Sequence, residues 1–180
     1  MHVWGHLKTV SKHRWLVMVH CFQVGLYWRG LTHDLSKFSP TEFWAGARYY
    51  QGDRSPNVAE REANGYSRAW MHHKGRNRHH FEYWTDLKKG TREYVPVPMP
   101  TEYLVEMCMD RIAACKTYHG KDYADGDALA YLEKAQESPL MHPETMEKTR
   151  FLLSMLAQCG EKETFRFIRQ HVLRGESFPQ

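Results

Sequence analysis

Apolar positions recur at three- and four-residue intervals along most of the chain, the period of an amphipathic helix. Leu7, Val10, Val17, Cys21, Val24 and Trp28 lie on one such stripe and predict a first helix over residues 3–28, broken at Gly30. A short helical piece follows over Leu31–Phe38. Ser39-Pro40-Thr41-Glu42 reads as a helix start, with a serine cap, a proline in the first turn and a glutamate three residues after the cap. That helix runs to about Tyr50, before Gly52. Ser55-Pro56 opens another, carrying Val58, Ala59, Ala69 and Trp70, weakened at Gly65 and stopping near Gly75. A short helix is predicted over His79–Lys88, ended by Gly90. Val95–Pro100 alternates with prolines and reads as an extended connector. Thr101–Tyr118 is strongly periodic through Tyr103, Leu104, Met107, Cys108, Ile112 and Cys115. Three further helices fit 126–136, 143–158 and 161–173, and Gly175–Gln180 is left as a frayed tail. The expected fold is all-α: one domain over residues 1–180, a helical bundle. The proline connector joins two of its helices, because residues suited to chemistry lie on both sides of it.

Composition fits that picture. The 180 residues are 42% hydrophobic and 26% charged, an ordinary globular balance. Residues 1–12 carry His2, His6, Lys8 and Lys12 and no long apolar block. The apolar run Trp15–Cys21 is far below the ~20 residues of a membrane span. A cytoplasmic protein with no membrane partner is therefore expected. Cys21, Cys108, Cys115 and Cys159 form no C-x-x-C pair and read as reduced, buried thiols.

Charge is uneven. Residues 1–90 hold 14 Lys and Arg against 7 Asp and Glu, and nine of the 12 histidines; residues 91–180 hold 11 against 14. A basic, histidine-rich half points to an anionic substrate. The net charge of +4 is too small to argue for general nucleic-acid binding.

Four features carry candidate chemistry. His33-Asp34 offers an imidazole and a carboxylate, a donor pair suited to zinc, iron, manganese and similar ions. Neighbouring helical side chains point about 100° apart, yet both reach one ion if the helix end faces it. Lys37, three residues on, shares the face of Asp34 and suits a phosphate or a leaving-group proton. Residues 71–81 gather His72, His73, His79 and His80 with Lys74, Arg76 and Arg78. Aromatic residues Trp70, Phe81, Tyr83 and Trp84 are expected to pin both ends of that loop into the core. Asp110 stands in an apolar stretch of helix, where a carboxylate is costly unless paired or coordinated. On the first helix His6, His13 and His20 recur every seven residues, and spacing alone does not choose among them.

Together these residues resemble the HD superfamily of metal-dependent phosphohydrolases, whose pattern is a histidine on one helix, a His-Asp pair on the next and an aspartate on a later long helix. The resemblance implies an HD-like bundle with His13, His33, Asp34 and Asp110 as metal ligands. It places the metal core at about residues 3–119, with helices 126–173 packed on it. Members with a second metal take two further histidines, here assigned to His73 and His80, with His72 and His79 as alternatives. The short 72–80 loop is compact for that role.

More narrowly, the chain looks like an uncharacterised bacterial and phage-associated family. That family shows HDLSKFSPTEF (33–43), RSPN (54–57), AWMHHKGRNRHHFEYW (69–84) and DRIAA (110–114), and its first-helix histidine falls at His13.

The function implied is hydrolysis of a nucleotide or other small phosphoester with one or two ions of Fe, Mn, Zn, Ni or Co. Asp34, Lys37 and His79 are the expected catalytic groups, and Lys74, Arg76 and Asn77 the expected substrate contacts. Two other readings compete. One is a di-iron oxygenase on the same scaffold. The other is a metal-stabilised binding module using Trp28, Trp44, Tyr49 and Tyr50 as stacking groups; such aromatics are more often core. The helices after Gly126 carry no chemical signal and read as packing elements or a homo-oligomer face.

Overall fold

The structure, a computed structural model, describes residues 1–134, 139–176 and 178. Its first helix, α1, spans Val3–Val24. His6, Val10, His13, Val17, His20, Cys21 and Val24 form its buried face. The helix is shorter than expected. Gly25 adopts φ 95°, and the amides of Gly25 and Leu26 return to the carbonyls of Phe22 and Cys21, a left-handed stop that suits glycine. Trp28 therefore belongs to the next helix, α2 (Tyr27–Thr32), and Gly30 lies inside it rather than breaking anything. A Cβ on Gly30 would meet the Cβ of Cys21 at 2.9 Å and the carbonyl of Met18 at 3.2 Å. The missing side chain is what lets α2 fold back onto α1.

The 31–38 stretch is helical but not continuous. α2 stops at Thr32, His33 and Asp34 form a turn, and a 3-10 turn covers Leu35–Phe38. Ser39 caps α3 (Pro40–Tyr49) as expected, accepting from the Glu42 amide. The next predicted helix is two: α4 (Pro56–Asn64) and α5 (Arg68–Lys74). Gly65, at φ 79°, ends α4 instead of weakening one long helix. Buried Glu60 then accepts from Ser67 Oγ at 2.5 Å and the Ala69 amide at 3.2 Å, fixing the start of α5.

His79–Lys88 does not form the expected helix. A 3-10 turn at Phe81–Tyr83 leads into β1 (Thr85–Leu87), which pairs antiparallel with β2 (Tyr94–Pro96), Asp86 opposite Val95. The extended connector thus supplies one strand of a small hairpin.

α6 (Thr101–His119) is the central helix, with Leu104–Met109, Ile112 and Ala113 all buried. A helix buried on most sides belongs in the middle of a bundle. α7 (Asp127–Lys134) and α8 (Pro143–Gln170) pack on it, and α8 also reaches α1. Gly160, at φ 75° and ψ 173°, divides α8 into two helical halves, where two separate helices were expected. Residues 135–136 of the expected 126–136 helix, and much of the expected frayed tail, lie outside the described residues. The core runs through α1, α6, α7 and α8 without interruption, from Val17 and Val24 to Leu152, Leu156 and Ile168. The fold is all-α in one domain, with the hairpin as a minor addition.

All four cysteines are free; Cys21 and Cys108 are buried, but Cys159 is exposed, against the expectation of burial. The aromatic expectation also fails in part. Trp28 and Trp44 are 75% and 53% exposed, so neither is core, while Tyr49 and Tyr50 are half-buried. Tyr83 is exposed too, leaving Trp70, Phe81 and Trp84 to anchor the histidine loop. Among the described residues no helix is long and apolar enough to cross a membrane.

Candidate metal centre

The His33-Asp34 pair gains its geometry from the turn between α2 and the 3-10 turn. His33 is extended, at φ −50° and ψ 128°, and Asp34 is left-handed, at φ 53°. Aspartate tolerates that region better than most residues, at a cost of about 1–2 kcal/mol. The turn aims both side chains at one point, which a continuous helix would not do. Arg14 on α1 pins it, donating to the His33 carbonyl at 2.7 Å and the Leu31 carbonyl at 3.2 Å.

Two groups of side chains meet at Asp34. His13, His33, Asp34 and Asp110 form one; Asp34, His73, His79 and His80 form the other, and within each the donor atoms lie within 4.8 Å of one another. His13 Nε2 is 2.9 Å from Asp110 Oδ1 and 3.9 Å from Asp34 Oδ2. His33 Nε2 is 3.4 Å from Asp34 Oδ2. On the other side His73 Nε2 and His79 Nε2 approach Asp34 Oδ1 at 3.3 and 3.4 Å. His80 is packed between Trp70 and His79, ring centroids 4.7 and 4.2 Å away.

Behind the histidines stand two buried glutamates. Glu106 Oε1 accepts from His33 Nδ1 at 2.9 Å and faces His79 Nδ1 at 3.2 Å. Glu42 accepts from His72 Nδ1 at 2.6 Å and from His73 Nδ1 at 2.7 Å. An ionised carboxylate only accepts, so Nδ1 carries the hydrogen in each case. Nε2 of His33, His73 and His79 is thereby turned toward the centre, the arrangement that orients metal-binding imidazoles, and a bound cation would displace any proton held there.

The residues fit a divalent ion on a further observation. The buried atoms without a hydrogen-bond partner include His13 Nε2, His33 Nε2, Asp34 Oδ1, His79 Nε2 and His80 Nε2, all at this centre. Buried polar atoms are seldom left unpartnered without a reason, and converging nitrogen and oxygen donors are what transition ions take.

Protonation follows the same logic. Burial opposes charge on His33, but the Asp34, Asp110 and Glu106 carboxylates outweigh it and hold its pKa up at about 10. Burial likewise opposes charge on His73, and Asp34 and Glu42 raise it. Burial, then the Lys37 charge, lowers His13; burial, then neighbouring His79, lowers His80 well below the usual histidine value. Asp34 resists the upward push of burial because of His33 and Lys37, and its carboxyl stays well below the usual range. Burial also pushes Glu106 up, but its bonds from His33 and His79 hold it down at about 2. Lys37 Nζ sits 2.7 Å from Asp34 Oδ2. Burial works against its charge, but Asp34 and Asp110 raise its pKa, so it stays an ammonium. Asp110 and Lys37 keep 17% and 27% of their side chains exposed, so the centre opens to solvent beside them.

Other expected residues go elsewhere. His6 packs on Phe43 and Gly46, and His20 on Phe165 beside Lys116; both are buried and away from the centre. His72 serves Glu42 instead of joining either group. Asn77 is a brace, donating to Ser36 Oγ at 2.8 Å and the His73 carbonyl at 2.8 Å. Arg76 lines a cleft on the far side of Glu106, and Lys74 lies half-buried at the end of α5. Sequence reasoning missed Glu42, Glu106 and Arg14. Glu106 had one signal: it stands one helical turn before Asp110 and so shares its face.

An all-α protein with a buried histidine–carboxylate centre is the class that fold and site define. The chain belongs to a family of unknown function, DUF5662, whose profile matches residues 2–155. Comparison with curated proteins and with solved structures gives no match.

Proposed function

We propose that this protein is a metal-dependent phosphohydrolase of the HD type, acting on a nucleotide or other small phosphoester at a two-ion centre. The observation that supports this most is Asp34, whose two oxygens face two separate groups of imidazole nitrogens, most of them unpartnered. One ion would be held by His13, His33, Asp34 and Asp110, and the other by Asp34, His73, His79 and His80. Bound ions of this kind make water nucleophilic near neutral pH and polarise a phosphoryl oxygen.

The chain's own groups fit the rest of the task. Lys37 remains charged at the open edge of the centre, placed to hold a phosphate against Asp34. Its raised pKa makes it a better anion ligand than proton donor. Glu42 and Glu106 hold the imidazoles in one tautomer. His79 has its Nδ1 on Glu106, which gives it a ligand's place rather than a separate catalytic one. Of the expected substrate contacts, Asn77 is already engaged in bracing His73.

A carboxylate-bridged pair of histidine-rich sites also suits a di-iron oxygenase. The two readings part on the metal: hydrolysis proceeds with redox-inert zinc, oxygenation only with a redox-active ion such as iron. Phosphate release from p-nitrophenyl phosphate and a panel of nucleoside monophosphates, with each ion in turn, tests the proposal. The expected result is turnover with a redox-inert ion, lowered roughly 100-fold in Lys37→Ala with the metal retained. Fully metal-loaded protein that releases no phosphate from any of these would contradict it.

A further inference from the structure

A cleft of about 820 Å³ lies against the centre. Tyr27, Trp28, Arg29, Arg76, Arg78 and Tyr103 line it together with Glu102. His33, His79 and Glu106 form its inner end, yet His13, Asp34, Lys37, His73, His80 and Asp110 take no part in it. The ring orientations explain the separation. The two imidazoles turn Nδ1 toward Glu106, which lines the cleft, and Nε2 toward Asp34 on the opposite side of each ring.

The walls have a specific chemistry. Arg76 and Arg78 are exposed, and among the described residues neither pairs with a carboxylate. Arg76 donates to the His72 carbonyl at 3.3 Å and Arg78 to the Tyr103 hydroxyl at 3.4 Å. Arg29 is different: it lies 3.6 Å over the Tyr103 ring and pairs with Glu102 and Glu106. Trp28, 75% exposed, presents an uncovered indole to the same space. Unpaired guanidinium groups recognise phosphate oxygens, and an open indole takes a flat ring.

We propose that this cleft binds a small anion carrying a flat ring, a nucleoside or aryl phosphate, with its charge on Arg76 and Arg78 and its ring against Trp28. The ligand is an effector and not the molecule transformed, because the cleft meets the centre only through His33 and His79 beside Glu106, while Asp34, Lys37 and Asp110 stay out of it. Its position on Arg29 and Glu106, which holds one histidine of each ligand group, links occupancy to the centre. That link rests on the metal reading; the binding does not.

Isothermal titration of the full chain with a non-hydrolysable methylenephosphonate analogue of adenosine monophosphate tests it, with melting curves to show that each variant folds. Saturable binding is expected, weakened at least about tenfold in the double variant Arg76→Ala/Arg78→Ala. Trp28→Ala should weaken the analogue while leaving inorganic phosphate unaffected. Asp34→Ala, which removes the reactive face, should bind the analogue as the wild type does. Affinity lost in Asp34→Ala but kept in the double arginine variant would place the anion on the reactive face and overturn the proposal. So would the absence of saturable binding at millimolar concentration.

Discussion

His6, His13 and His20 occupy one stripe of α1 and are all buried, yet their surroundings give them different chemistry. His13 meets two carboxylates. His6 and His20 meet apolar rings and a lysine each: burial, then Lys37 for one and Lys116 for the other, lowers both to about 4. The unfolded chain takes up these protons near 6.5, whereas the folded chain resists until about 4. Their contribution to stability is thus complete above 6.5 and is lost as pH falls through 4, on the order of 2 kcal/mol each. Urea titrations across that window should show a steep acid loss of stability, flatter in His20→Gln; an unchanged slope would remove His20 from the account. At this scale the sequence was informative where the signal was local. His33-Asp34, Asp110 and the 72–80 cluster are unusual where they stand. Glu42 and Glu106 were not legible as partners, because Glu42 looks like a capping residue and Glu106 an ordinary helix charge. Their roles depend on contacts 27 to 73 residues away in sequence.

The helices were legible where a cap announced the start, as in α3, or where one stripe of apolar residues continued unbroken, as in α6. They were misread where a glycine acted through space or through φ. Gly65 ends α4 by its left-handed backbone, while Gly30 serves by having no side chain. The hairpin escaped because a three-residue strand gains its hydrogen bonds from a partner that local periodicity does not reveal. Gly30 also controls the approach of the His33-Asp34 turn to α1. Gly30→Ala must push α2 away from Met18 and Cys21, costing about 1–3 kcal/mol by overpacking, or roughly 3–10 °C in Tm. Its ion affinity should fall with it. A variant with unchanged Tm would mean that α2 does not depend on this close approach.

At the scale of the molecule, the centre ties together parts of the chain far apart in sequence: α1, the turn after α2, α5 with its loop, and α6. A ligand bound there stabilises all of them at once. At an ion concentration a thousandfold above its dissociation constant, each ion adds about 4 kcal/mol, so a strong chelator that removes both should lower Tm by roughly 15–30 °C. Tm indifferent to chelator would leave the buried histidines as a purely structural network. The basic, histidine-rich first half of the sequence has its explanation here, since nearly all of the centre comes from it and only Asp110 and Glu106 come from the second.

Metal stoichiometry tests the central claim most directly. Elemental analysis of protein purified without chelator or affinity-tag metal, and again after loading, should give about two ions per chain. Because Asp34 belongs to both groups while His13 and His80 belong to one each, His13→Ala and His80→Ala should each keep about one, and Asp34→Ala none. Absence of metal under every loading condition, or full occupancy in Asp34→Ala, would contradict the two-ion centre and with it the proposed chemistry.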